Sequence, residues 1–238
     1  FGLKYLIRLL RKKNIVAHIS ERSNHKIPPP VGAGLLIVPI ILTAWLISVQ
    51  LFKLQVPNLY IILLAAFIIF CISSFDDFKN ISPILRIIAQ IAVIIPATII
   101  INPEGLVFRG YLPPLTDQIL TGYLWLWYIN LYNFMDGIDG ITAMETIFIT
   151  IGIILLSFTA KLLTLHPIPI FIPLFAAIIL AAMFGFLPWN WHPARIFIGD
   201  CGSVTLGFII GFLLIKLAIS GYLAAALILP AYHLADAS

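Results

Sequence analysis

Five aspartates in three short motifs are the residues of this sequence best suited to chemistry. They are conspicuous because only ten of the 238 residues are Asp or Glu. Carboxylates beside amides and glycines can hold a divalent cation and a phosphate together, since Mg²⁺ is commonly bound by one or two protein oxygens and by substrate phosphates. The motifs are Asp76-Asp77, Asp136-Gly-Ile-Asp139-Gly and Gly199-Asp200-Cys-Gly-Ser.

The second motif is the most specific of the three. Asn130, Asn133 and Asp136 recur every third residue, so a helix would place them along one face. The glycines after Asp136 and Asp139 permit positive φ and a close approach of the backbone to a ligand. Two ordinary Asp-Gly turns are the alternative interpretation. The preceding pair of asparagines favours a binding site.

The third motif predicts an anion site at the start of a helix. Ser203 can cap that helix, whose first turn would then present free N–H groups and the positive end of the dipole. Asp200 just before it could hold a metal ion beside the anion. Arg195 is a candidate phosphate contact. A plain capping loop with a solvated Arg195 is the alternative interpretation.

The first motif lies where a helix would disfavour acids. Asp76 and Asp77 follow an apolar stretch, and the C-terminal end of a helix disfavours carboxylates by a few tenths to about 1 kcal/mol. Their position indicates a bound cation or a functional demand, whereas a solvated loop is the alternative. A stiff proline-rich loop near the N-terminus adds His25 as a further candidate for a phosphate contact.

Transmembrane helices are the elements that must position these motifs. Hydrophobic residues make up 61% of the chain and charged residues 10%, against about 45–50% and about 25% in soluble domains. This composition excludes a soluble globular enzyme, a disordered chain and a disulfide scaffold. The predicted fold is all-α, one polytopic transmembrane bundle over residues 1–238. Eight stretches have the length of a span, roughly 33–52, 58–75, 84–101, 118–134, 141–160, 168–187, 203–219 and 221–235.

The distribution of charge predicts where the motifs lie. Half of the 14 basic residues precede residue 27, so the positive-inside rule places the N-terminal segment in the cytoplasm. Alternating spans then bring all five aspartates to the cytoplasmic face, where their mutual repulsion calls for a cation. The net charge of +4 is no nucleic-acid signature, and Cys71 and Cys201 have no zinc or disulfide spacing. The start at Phe1 and the stop at Ser238 predict a piece of a longer protein.

The three motifs, in this order, resemble those of the polyprenyl-phosphate N-acetylhexosamine-1-phosphate transferases, of the glycosyltransferase family 4 type. The likeness extends from about residue 20 to residue 236. Within the family, the Asp136–Asp139 motif and the ending Tyr232-His-Leu-Ala-Asp236 look more like the initiators of bacterial O-antigen and surface polysaccharide. They look less like the peptidoglycan enzyme that transfers a muramyl-pentapeptide unit.

The sequence departs from the family pattern in two ways. Val31 and Ala33 stand where members often carry a basic residue and Gly, which puts one local phosphate contact in doubt. The chain also does not contain the family's His-rich cytoplasmic segment, or the helix that usually precedes residue 1. We therefore expect that this chain alone could be inactive.

The resemblance implies a reaction and its partners. A UDP-N-acetylhexosamine and undecaprenyl phosphate would give the undecaprenyl-diphosphate sugar and UMP. This would be the first membrane step of a cell-envelope polysaccharide such as lipopolysaccharide. The enzyme would be a multi-pass protein of the bacterial inner membrane with a cytoplasmic site, in contact with membrane lipid. A homodimer is left open, and no nucleic acid is involved.

The resemblance also implies roles for the candidate residues. Asp200 and Asn133 would hold Mg²⁺, with Mn²⁺ as a substitute. One of Asp76 and Asp77 would accept or orient the proton of the lipid phosphate, or act as a covalent nucleophile. Asp136 and Asp139 would organise the nucleotide sugar and the cation. Asn130, Arg195 and His25 would bind substrate.

Two other classes of protein are weighed against a transferase. An ion-coupled secondary transporter also uses intramembrane carboxylates, but it places them near the bilayer midplane and often has an inverted repeat. The aspartates of this sequence lie at the ends of spans, and no repeat is visible. A non-catalytic scaffold would have no reason to combine the second and third motifs.

Overall fold

Helices form most of the structure, a computed structural model that describes residues 2–13, 15–16, 28–79 and 81–231. Within these residues there are nine α-helices and no β-strand, which confirms the predicted all-α class. His25 and the ending at Tyr232–Asp236 lie outside the described residues. The helices are α1 (Gly2–Lys12), α2 (Gly34–Phe52), α3 (Leu59–Lys79), α4 (Pro83–Ile101), α5 (Pro114–Phe134), α6 (Ile141–Leu162), α7 (Phe171–Asn190), α8 (Asp200–Leu217) and α9 (Leu223–Ile228).

Six helical segments of the described chain are long and apolar enough to cross a membrane. They are α2, α3, α4, α6, α7 and the segment Asp200–Ile228, which contains α8 and α9. The predicted fourth stretch does form helix α5, but Asp117, Asn130 and other polar residues lower its hydropathy. The structure thus supports a polytopic membrane bundle, and the number of eight crossings stays a prediction.

Helix α8 is the centre of the bundle. Every residue from Cys201 to Leu217 is buried, as expected of a helix that is apolar on all sides. Helices α2, α3 and α5 pack around it. A side chain at Gly34 would place its Cβ 2.3 Å from the backbone nitrogen of Gly202, so α2 and α8 approach as closely as only glycine permits.

The chain reverses direction at Gly221. This residue has a φ of 100° within a short π-helical turn, Ala218–Tyr222. Gly211 and Pro230 line one cavity, although a straight helix would separate them by about 28 Å at 1.5 Å per residue. Helix α9 therefore returns along α8, which agrees with the predicted boundary between the last two apolar stretches.

The loops gather at two ends of the bundle. At one end an ion pair joins Lys216 to Glu104, and the Tyr222 hydroxyl donates to the carbonyl of His166. At the other end, named here the acid end, the three aspartate motifs meet one another. The sequence-based prediction that all three motifs share one end of the bundle is therefore correct. The acid end is defined by Asp76, Asp77, Asp136, Asp139 and Asp200.

Candidate active site

Asp77 holds the start of the central helix. It lies in the last turn of α3, and its two carboxylate oxygens accept the backbone N–H groups of Asp200 (2.8 Å) and Cys201 (3.0 Å). These are among the N–H groups that a helix leaves without an internal partner. The positive end of the α8 dipole thus faces Asp77 and offsets the unfavourable position of this acid at the end of α3.

This contact corrects the prediction of an open anion site at that helix. Helix α8 begins at Asp200, so Ser203 lies within its first turn and does not cap it. The Ser203 hydroxyl instead donates to Asn133 Oδ1 at 2.5 Å. Sequence spacing could not reveal the difference, because the carboxylate of Asp77, from another part of the chain, takes the N–H groups that a free anion would have met.

Arg86 bridges two of the motifs. Its Nη1 lies 2.9 Å from Asp76 Oδ2 and 2.7 Å from Asp200 Oδ2. The backbone N–H of Ile81 donates to the other Asp76 oxygen at 2.6 Å. Asp76 is buried, with only 4% of its side chain exposed, so a charged partner and hydrogen bonds are needed to offset its desolvation.

The three sequence motifs do not include Arg86. One signal did exist, because Arg86 is the single charged residue of the apolar helix α4. A lone charge in a membrane-spanning helix is by default a candidate for function.

Asp136 joins the turn after α5 to the segment before α8. Its Oδ1 accepts the hydroxyl of Thr142 at 2.8 Å and its Oδ2 accepts the backbone N–H of Gly199 at 3.1 Å. Burial raises the pKa of the Asp136 carboxyl well above its usual value, and the nearby charges of Asp200 and Asp77 add to the rise. The rise therefore comes mainly from the removal of the Asp136 carboxyl from solvent, and the neighbouring acids add to it.

Asp139 makes a second link to the segment before α8. Its Oδ2 lies 2.8 Å from Nδ1 of His192 and accepts the backbone N–H of Ala194 at 3.1 Å. Both acids of the second motif therefore attach the turn between α5 and α6 to the segment between α7 and α8.

The two asparagines line a crevice beside the acid end. Asn130 donates to Gln90 Oε1 at 2.7 Å and to the carbonyl of Leu126 at 2.8 Å. The crevice has a volume of about 110 Å³ and lies between α3, α4, α5 and α8. The predicted helical spacing holds for the asparagines, but α5 ends at Phe134, so Asp136 faces a different set of partners. The polar residues of the crevice are Ser73, Arg86, Gln90, Asn130 and Asn133, and the others are mostly apolar.

The Arg195 side chain lies beside Trp189. Its side chain is exposed, with the guanidinium carbon 5.9 Å from the centre of the Trp189 ring. Within the described ranges it forms no ion pair. The structure shows Arg195 one position from Ala194, which contacts Asp139, and the predicted phosphate contact of its side chain stays a prediction.

Comparison with known proteins identifies the family. The model of glycosyl transferase family 4 matches residues 59–218, a range that contains α3, the crevice and all five aspartates of the acid end. The chain belongs to glycosyl transferase family 4. The family resemblance seen in the motifs is thereby confirmed.

Members of the family with assigned names are similar over most of this chain. A decaprenyl-phosphate N-acetylglucosaminephosphotransferase of Mycolicibacterium smegmatis is 29% identical over 82% of this chain and 52% of its own length. A probable undecaprenyl-phosphate N-acetylglucosaminyl 1-phosphate transferase of Bacillus subtilis is 32% identical over 64% and 42%. A phospho-N-acetylmuramoyl-pentapeptide-transferase of Kosmotoga olearia is 30% identical over 90% and 68%. The chain spans about half the length of several of these relatives.

The oxygen donors at the acid end fit a cation that is held partly by substrate. No three His, Cys, Asp or Glu side chains in the described part of the chain are grouped so that they could enclose a metal ion. Asp200 is 30% exposed and contacts Arg86 through Oδ2, while Asn133 lines the adjoining crevice. Such hard oxygen donors suit Mg²⁺, which takes few protein ligands when phosphates supply the rest.

Proposed function

We propose that this member of glycosyl transferase family 4 transfers N-acetylhexosamine 1-phosphate from a UDP-sugar to undecaprenyl phosphate and releases UMP. The observation that carries the proposal is the acid end itself. Carboxylates from three separate motifs meet there, and Arg86 bridges two of these motifs. The names of the similar proteins support this class of reaction, because each is a polyprenyl-phosphate or muramoyl-pentapeptide phosphotransferase.

The crevice supplies a place for the lipid substrate. Its walls carry the apolar side chains of Ile69, Ile72 and Ile87, and its polar side chains adjoin the acid end through Arg86 and Asn133. A polyprenyl phosphate has the matching division into an apolar chain and an anionic head. We propose that the first isoprene units contact the apolar wall while the phosphate lies near Arg86, whose guanidinium can donate several N–H groups.

The transfer itself requires positioning and neutralisation of charge. An oxygen of the lipid phosphate would attack the β-phosphorus of the UDP-sugar, and the bond from that phosphorus to the bridging oxygen of UMP would break. Arg86 would offset the charge of the incoming phosphate. Asp76 or Asp77 would accept or orient the proton of the lipid phosphate. Asp77 is the less suited of the two to act as a covalent nucleophile, because both of its oxygens already accept backbone N–H groups.

Asp200 and Asn133 would hold Mg²⁺, or Mn²⁺ in its place. When bound, such an ion supplies Lewis-acid neutralisation of the diphosphate. The protein's own contribution is to fix these two oxygens. Asn133 is oriented by the Ser203 hydroxyl, and Asp200 is placed by the contact of Asp77 with the first turn of α8. Asp136 and Asp139 would organise the nucleotide sugar by holding the segment between α7 and α8.

We further propose that the acid end faces the cytoplasm of a bacterium, across its inner membrane. Helix α1 carries basic residues and no acid, and its last turn includes Arg11 and Lys12. The Leu10 side chain of this helix lies beside Gly32, whose N–H donates to Phe197 near the acid end. The positive-inside rule places such a segment in the cytoplasm. On the resemblance of the motifs, the product would start an O-antigen, lipopolysaccharide or other surface polysaccharide.

A transporter is the weaker candidate. Its ion-coupling carboxylates would be expected near the middle of the membrane. Asp77 lies in the last turn of α3 and Asp200 begins α8, so both occupy helix ends.

The decisive experiment measures UMP release by the full-length protein in detergent or vesicles. We expect release that requires both a UDP-N-acetylhexosamine and undecaprenyl phosphate, together with Mg²⁺. A panel of UDP-sugars that includes the muramyl-pentapeptide nucleotide would identify the donor. A well-folded protein that releases no UMP from any donor would refute the proposal, and ion flux across vesicles would then support the transporter.

A further inference from the structure

Thr142 carries a buried hydroxyl group that faces the acid end. It lies in the first turn of α6, is 1% exposed and donates to Asp136 Oδ1 at 2.8 Å. This hydrogen bond joins two residues six positions apart and so closes the turn between α5 and α6. That turn carries both Asp136 and Asp139, so the hydroxyl lies within the segment that supplies two acids of the site.

Other buried threonines on the same helix behave differently. Thr146 donates to the carbonyl of Thr142, and Thr150 donates to the carbonyls of Thr146 and Ile147. This bonding to the preceding turn of the same helix is the usual arrangement for a buried helical threonine. The residue four before Thr142 is Ile138, which has extended backbone angles and belongs to no helix. Thr142 is therefore free to direct its hydroxyl to a carboxylate.

The other side of Asp136 meets a backbone that has little room to move. Asp136 Oδ2 accepts the N–H of Gly199, which has a φ of 78°. A Cβ at Gly199 would lie 2.9 Å from Val31 Cγ1 and 3.0 Å from Asp77 Oδ2. Asp136 thus connects the Thr142 hydroxyl to the tightly enclosed Gly199. Asp200 directly follows Gly199, so this connection bears on its position.

We infer that Thr142 is a positioning residue for the proposed transfer reaction, acting through Asp136 on the Gly199–Asp200 segment. The inference depends on the proposed function, because its effect is measured on that reaction. Without the hydroxyl, one oxygen of Asp136 loses its donor and the carboxylate can rotate. The link to Gly199 then no longer holds a single geometry.

The test compares three substitutions of Thr142 with a matched control on the same helix. Thr142→Val keeps the shape and removes the hydroxyl, Thr142→Ala removes both, and Thr142→Ser keeps the hydroxyl. Thr150→Val is the control, since Thr150 is also buried but bonds only within its helix. All are made in the full-length protein, and UMP release and thermal unfolding are measured on each.

We expect Thr142→Val and Thr142→Ala to lower kcat about tenfold, with the KM for the nucleotide sugar within about twofold, as follows from loss of a buried side-chain hydrogen bond. Thr142→Ser should retain wild-type kcat, and Thr150→Val should lose stability without losing kcat. Wild-type kcat in either hydroxyl-free variant would overturn the inference. So would an equal loss in Thr142→Ser. Absence of UMP release from the wild-type protein would refute the proposed function instead, so the two failures are distinguishable.

Discussion

Substitution of Asp77 by Asn tests whether the start of α8 is what holds the site together. The carboxylate accepts two successive backbone N–H groups, from Asp200 and Cys201. An asparagine side chain has one acceptor oxygen, and its NH₂ group would face the second N–H donor. One hydrogen bond to a charged acceptor is lost, a donor is left unpaired, and the α8 dipole loses its negative partner.

The expected cost in stability follows from these losses. A hydrogen bond to a charged group contributes about 1.5–3 kcal/mol, and an acid at a helix N-terminus contributes about 0.3–1 kcal/mol more. Each kcal/mol lowers the melting temperature by about 2–4 °C for a chain of this size. Because Asp200 lies in the turn that Asp77 holds, we also expect kcat to fall at least about tenfold.

The chain contains a matched control at the opposite end. Asp117 also accepts two successive backbone N–H groups, from Val107 (3.1 Å) and Phe108 (2.8 Å), and it is 1% exposed. Asp117→Asn should therefore lower the melting temperature at least as much as Asp77→Asn while leaving kcat within about twofold of the wild type. Thermal unfolding and UMP release are measured on both full-length variants. Equal losses of kcat in the two variants would show that Asp77 has no special connection to the site.

Three further predictions address the cation and the backbone. Asp200→Asn should lose Mg²⁺-dependent UMP release while remaining folded, and normal turnover by this variant would contradict its assignment as a metal ligand. Treatment of the wild-type enzyme with EDTA should abolish activity, and added Mg²⁺ or Mn²⁺ should restore it; turnover that persists in EDTA would argue against a dissociable cation. Gly199→Ala should reduce kcat at least about tenfold, because its Cβ would crowd Val31 and Asp77. Gly110→Ala is the control, since Gly110 also has a positive φ but no atom lies within 4 Å of the new Cβ. This control variant should lose some stability and keep its activity. Equal activity of these two glycine variants would contradict the argument from crowding.

The sequence was sufficient to predict the class of fold and the meeting of the motifs. Apolar stretches of span length, connected by short loops, force alternate loops to opposite ends of a bundle. The aspartates of three motifs therefore had to share one end. The prediction needed no knowledge of which helices touch. The count of spans was less secure, because α5 mixes apolar residues with Asp117 and Asn130 and resembles neither a loop nor a uniform span.

The side-chain contacts could not be read from the sequence. Arg86 and Asp200 are 114 positions apart, and Asp77 meets the N–H of Asp200 across 123 positions. Such pairs depend on the rotation of each helix about its axis, which a wide apolar surface does not fix. The prediction of an open anion site at α8 failed for this reason. Local spacing shows which N–H groups the first turn of a helix presents. Only the packed bundle shows that a carboxylate from another helix already accepts them.

The stability of so many carboxylates in one place follows from how they are held. Asp77, Asp136 and Asp139 each accept at least one backbone N–H from a distant segment of the chain, and Asp76 accepts that of Ile81, five residues further on. Arg86 supplies a full positive charge between two motifs. Backbone donors fix the positions of carboxylates but cancel little of their charge. The acid end therefore combines fixed geometry with an excess of acidic side chains. Under the proposed function, a cation and the phosphates bound to it would meet prearranged ligands without reorganisation of the protein. The donors are the N–H groups of Ile81, Ala194, Gly199, Asp200 and Cys201.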